Sequence, residues 1–149
     1  MFTLNQITEG LSRIANAHLQ INSFGFGDLH EFASSGDTKY PAMWCELQDA
    51  RRSRAMTTYN LTIYLFDKPH QGEKDETEIL SDLHRIAEDV YAELHHPDWT
   101  WHFPLNEVTL NSDTEKTMDN LTGVWFIAPI TIPQETDRCQ IPTNTITHF

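Results

Sequence analysis

The run Val124 to Ile132, opened by Gly123, is apolar on both faces when its residues are alternated as a strand. A strand of that kind cannot leave either face in water. It belongs at the centre of a sheet or against a neighbouring subunit. Other strands must therefore flank it, and something must cover it. The clearest partner is Tyr59 to Asp67, where Tyr59, Leu61, Ile63 and Leu65 share one face. Asn60, Thr62, Tyr64 and Phe66 share the other, which turns apolar toward its end, so that end is expected to be covered as well. Tyr40 to Leu47 reads as a further strand, with Pro41 at its start because proline donates no ladder hydrogen bond. Strands 40–47 and 59–67 are expected to pair as a long hairpin with Arg51, Arg52 and Arg54 near its tip. Trp99 to Phe103 and Glu107 to Asp113 also alternate and read as strands.

Two helices supply the cover. Leu4, Ile7, Leu11, Ile14 and Leu19 recur at helical spacing behind Thr3, a good N-cap, and Gly10 weakens the middle. Ile79, Leu83, Ile86, Val90 and Leu94 form the apolar stripe of a second helix, from about Glu76 to His95. Asp75, Glu76 and Glu78 favour its start, His95 and His96 fall in its last turn, and Pro97 stops it. Between the first helix and the first strand, Phe24-Gly25-Phe26-Gly27-Asp28 reads as tight turns whose rings dock on something apolar. It is no phosphate loop, because no Lys-Ser/Thr follows. The order gives an α+β fold: an antiparallel sheet of four to five strands with a long 40–67 hairpin and two helices packed on one face. Residues 1–135 read as one α+β domain and 136–149 as an extended or flexible tail.

Ten basic against 22 acidic side chains leave a net charge of −12 over 149 residues. Such a chain is a poor binder of nucleic acid through phosphate neutralisation. With 39% hydrophobic residues it can fill a core, and no apolar run approaches the ~20 residues that cross a bilayer. A soluble, intracellular protein without a signal peptide is the expectation, with no membrane contact. Cys45 and Cys139 make neither a disulfide framework nor a zinc module. Cys45 reads as a small core residue. Cys139 reads as an exposed residue whose neighbour Arg138 lowers its pKa slightly. His95, His96, Asp98 and His102 lie close in sequence, but adjacent histidines on a helix point about 100° apart. No catalytic, metal or cofactor-binding residue is assigned.

Two groups stand out as contact residues. Arg51, Arg52 and Arg54 put three guanidiniums within four positions of a chain poor in bases. The plain reading is a solvated hairpin tip. The functional one is a contact for an acidic partner, such as another copy of this chain. Trp99 and Trp101 share a face beside a helix end, where tryptophan often anchors an interface. A two-sided apolar strand, an aromatic pair and a long hairpin together favour self-assembly. A small intracellular ligand- or metal-binding domain or enzyme is the alternative, with Trp99, Trp101 and His102 lining a pocket.

One ordered set of features carries a resemblance. The first helix leads through Phe24-Gly-Phe-Gly-Asp28 to Tyr40-Pro-Ala-Met-Trp44, then to a strand ending Tyr64-Leu-Phe-Asp67. An acidic helix begins Glu76-Thr-Glu-Ile-Leu-Ser-Asp82, a strand pair lies around Asp119-Asn-Leu-Thr-Gly123, and Asp137-Arg-Cys139-Gln-Ile-Pro142 closes the chain. Residues 1–142 resemble the small neck and tail-completion proteins of tailed bacteriophages, most of all versions from phages and prophages of Bacteroidetes, including crAss-like phages. The resemblance implies a tail-terminator-like fold and a structural virion protein rather than an enzyme. Such a protein forms a ring of six or twelve copies in the neck or tail, assembled in the host bacterial cytoplasm. It contacts portal, neck or tail proteins, and DNA passes through the lumen without sequence-specific binding. An acidic wall suits such a channel because it repels phosphates. A ring contact also joins two different surfaces, one of which can be acidic and the other rich in arginine.

Overall fold

In the computed structural model, residues 3–33, 38–68, 76–114, 121–133, 141–145 and 147–149 are described. The apolar run forms a long strand at the interior of the sheet, as its two-sided character requires. Eight elements follow one another: α1 (Leu4–Ala17), β1 (Ser23–Phe26), α2 (Leu29–Ala33), β2 (Ala42–Arg52), β3 (Met56–Asp67), α3 (Glu76–Leu94), β4 (Asn111–Thr114) and β5 (Thr122–Pro133). The five strands lie in the order β1-β2-β3-β5-β4. The fold is α+β, but the sheet is mixed. β1 runs parallel to β2, whereas β2–β3, β3–β5 and β4–β5 are antiparallel.

Alternation sorts the side chains onto two faces. Cys45, Ile63 and Phe126 are in register, as are Met43, Leu65 and Val124, and all six are buried under α1 and α3. Ile7, Leu11 and Ile14 come down from α1, and Ile79, Leu83, Ile86, Val90 and Leu94 from α3. The opposite face carries Trp44, Tyr64 and Trp125 side by side, one from each of three adjacent strands. Beyond them Phe66 is buried beneath Phe32 of the short helix α2, the two rings stacked at 4.7 Å. The covered end expected for β3 is thus real, and α2 is what covers it.

Ser23–Phe26 is a strand and not the tight turns expected, and Gly27 follows its end. Phe24 and Phe26 pack against the main core. On the other side the Trp44 ring lies so close to the Gly25 backbone that a Cβ there would fall 2.0 Å from it. The Trp44 indole N–H donates to the Gly27 carbonyl at 2.9 Å, and Gly27 has φ +146°, a conformation glycine accepts readily. Glycines at alternate positions let a tryptophan lie flat across β1. Pro41 directly precedes β2, and its carbonyl accepts from the Asn22 N–H at 2.8 Å, which seats β1 beside β2.

Residues 99–103 are likewise not a strand. They make turns and touch β5 through one bridge, between His102 and Thr131. Strand β4 is shorter than the expected Glu107–Asp113 and begins only at Asn111. Residues 69–75, 115–120, 134–140 and 146, Cys139 among them, lie outside the described residues. No helix among the described residues is long and apolar enough to cross a membrane.

Candidate interaction surface

The hairpin β2–β3 is longer than its sequence pattern showed. Residues 48–52, expected to form a polar connection, continue β2, with Arg51 opposite Thr58 and Arg52 opposite Thr57. The turn is short, and the Ser53 N–H donates to the Met56 carbonyl at 2.9 Å. Arg51 and Arg52 therefore stand on a strand, and Arg54 stands in the turn. All three are exposed.

The outer edge of β2 is only partly used. β1 pairs with Ala42–Cys45, and the last contact is the Gly27 N–H donating to the Cys45 carbonyl at 3.0 Å. From Glu46 to Arg52, β2 has β3 on one side and no strand on the other among the described residues. The register with β3 skips one residue between Leu47 and Asp49, a bulge at Gln48. Side chains along the edge are held in place. The Gln48 amide donates to Glu46 and to the Thr62 hydroxyl, each at 2.9 Å. Asp49 accepts from the Asn60 amide, and the Arg52 guanidinium donates to the Thr57 hydroxyl at 2.7 Å. Glu46 accepts from the Leu29 backbone N–H at 2.7 Å, tying the start of α2 to the same strand.

Trp99 and Trp101 are brought together, but not as a surface. Their rings stack at 4.4 Å with 11° between planes, against α1 at Gly10, where a Cβ would lie 2.5 Å from Trp101. Trp101 is 5% exposed and Trp99 is half-buried. Their indole N–H groups donate to the Leu94 carbonyl at 3.2 Å and the Glu93 carbonyl at 3.0 Å. The pair therefore brings side-chain donors to the last carbonyls of α3, where the Glu93 carbonyl also accepts from the His96 backbone N–H at 3.0 Å. The His95 ring packs edge-on against Tyr91 and Phe103. A shallow groove of about 290 Å³ runs past Trp99, Trp101, Glu9 and Arg13, and His102 is not part of its lining.

No group of three or more His, Cys, Asp or Glu residues among those described is placed to hold a metal ion. Cys45 is fully buried, and that burial pushes its thiol well above the ordinary range, which keeps it protonated and inert. Tyr64 is also shifted up, first by burial and then by the Glu46 charge, with a hydrogen bond to Thr62 acting the other way.

One feature escaped the sequence reading. The sheet face opposite the long helices is only half covered, with Ile127 57% exposed beside Trp125 and Tyr64. Ile127 and Pro129 of that face line a groove of about 470 Å³ together with Leu105 and Val108, which pack against the main core. The signal was present in the two-sided run 124–132, but periodicity does not say which face a partner covers. No protein-family model matches the chain, and no curated protein matches it.

Proposed function

We propose that the chain is a structural virion protein of a tailed bacteriophage, forming or joining a ring in the neck or tail through which DNA passes. The observation that supports this reading is the hairpin end. Three exposed arginines stand together there, Arg51 and Arg52 on a strand whose outer edge has no strand partner among the described residues and Arg54 in the turn, in a chain of net charge −12. Such a molecule repels its own copies except where the arginines meet acid, which orients assembly instead of leaving it non-specific. Acid is present along α3, where Glu88, Asp89 and Glu93 are exposed and Asp89 also contacts His18 of α1 at 2.9 Å. The half-covered sheet face around Ile127 offers the apolar contact that a lasting interface needs at its core.

Light scattering after size-exclusion chromatography tests the ring, with the chain alone and mixed with portal and tail proteins of the same particle. The reading expects a mass of six or twelve copies in at least one of these states. Reversing the charge of Arg51, Arg52 and Arg54 together is expected to reduce incorporation into particles by tenfold or more, on the order of 1.4 kcal/mol. Wild-type incorporation of that variant would remove the arginines from the assembly. A chain that never exceeds a dimer, alone or with those partners, would remove the ring.

A further inference from the structure

The open edge of β2 is matched to itself. Cys45 directs its carbonyl toward β1, so alternation places the Leu47 backbone on the same outer side. The bulge at Gln48 shifts the phase by one residue. Ala50 and Arg52 then present their N–H and carbonyl groups outward, while Asp49, Arg51 and Ser53 face β3. The Ser53–Met56 hydrogen bond fits that phase. Asp49 and Arg51 lie opposite Asn60 and Thr58, so their side chains share the sheet face that the long helices leave open.

We infer that two copies of this chain join through these edges, antiparallel about a two-fold axis at Ala50, so that Asp49 of each copy faces Arg51 of the other. The order of charges favours this over a purely defensive edge. A strand that only has to repel its own kind carries one sign of charge, lysine above all. β2 carries both signs in sequence, with Glu46 and Asp49 before Ala50 and Arg51 and Arg52 after it. Reversing the direction of a second copy lays the basic half of each over the acidic half of the other. Opposite charges directly across an antiparallel pair stabilise it, and like charges destabilise it. A parallel arrangement in register would set acid against acid and arginine against arginine. The contact is isologous, so it closes at two copies. The pairing is short, only the few residues after the bulge, so a reversible dimer is expected. It does not rest on the virion reading, and it gives Arg51 a different acid, Asp49 of the other copy in place of the acids of α3.

Sedimentation or light scattering over a concentration series at low salt is the test. Wild type is expected to show a monomer–dimer equilibrium. Asp49→Arg and Arg51→Asp each bring like charges together at both ends of the pairing, and each is expected to weaken the dimer by about tenfold or more. Mixed in equal amounts they are expected to pair with each other, because the substituted 49 and 51 positions then face each other at one end and the unchanged Arg51 and Asp49 face each other at the other. Ala50→Pro removes an outward N–H without touching the β3 ladder, and is expected to suppress the dimer while circular dichroism stays native. If that variant does not fold, the charge pair still decides. A wild type that stays monomeric throughout overturns the inference, as does a mixture that associates no better than its components. A ring that forms normally from both charge variants overturns this contact and leaves the ring standing. A dimer that never grows supports this contact and overturns the ring.

Discussion

Gly25 illustrates how much of this fold is decided by a missing methyl group. Its place beneath Trp44 leaves 2.0 Å where a Cβ contact needs well over 3 Å, so Gly25→Ala must move the indole or the strand. A loss of about 1–3 kcal/mol is expected, read as a lower urea midpoint with unchanged slope. Trp44→Leu in the same background should recover part of it, because the two residues act as one packing unit. Cys45 and Tyr64 set a second residue-level expectation, in pH. Both hold their protons in the folded state beyond the point at which the unfolded chain releases them. The folded state therefore binds more protons in the alkaline range. Their contribution to stability is full below the ordinary thiol and phenol pKa values and is lost as pH rises from those values through the raised ones of the folded state. Urea midpoints should be flat near neutrality and fall from about pH 9 upward. In an ultraviolet titration Tyr64→Phe should remove a phenol that ionises above the ordinary range.

At the scale of elements, α3 and β3 are legible because each carries a full period of apolar residues, and tertiary contacts agree with that local pattern. The elements that were not legible have non-local causes. β1 has glycine where a strand ordinarily shows a second apolar face, and the missing bulk is supplied by Trp44, about twenty positions later. Its parallel pairing with β2 depends on the long excursion through α2, which no periodicity records. Residues 99–103 alternate aromatics as a strand would, yet Trp99 and Trp101 are spaced to reach the last carbonyls of α3. The arginine cluster was visible, but not the strand edge beside it. That edge exists only because β1 stops at Phe26. The end of α3 gives an element-level prediction. Trp101→Phe keeps most of the ring but loses the donor to Leu94, and should cost about 1 kcal/mol. Trp101→Ala should cost about 3–5 kcal/mol by opening a cavity between α1 and α3. Thermal melts of the two variants separate the hydrogen bond from the packing.

For the whole molecule, the sheet divides two environments. One side is a closed core under two long helices, and the other is an aromatic face that α2 covers only at one end. The charge is divided too, with exposed acids along α3 and exposed arginines at the end of the hairpin. Association driven by that division should weaken as salt rises, since the screening length is ~10 Å at 0.1 M and ~3 Å at 1 M. An assembly held mainly by the apolar face around Ile127 would instead persist or tighten in sulfate, so a salt series of the measured mass separates the two contributions. The indole stack of Trp99 and Trp101 adds an optical consequence. Two indoles stacked at 4.4 Å couple their excited states, so the near-ultraviolet circular dichroism of the folded chain should change on Trp99→Phe by more than the share of one isolated indole. The stack sits between α1 and the end of α3, away from the β2 edge. Its signal should stay constant as copies join there and collapse only when the helix layer comes apart, giving a spectroscopic marker that distinguishes assembly from unfolding.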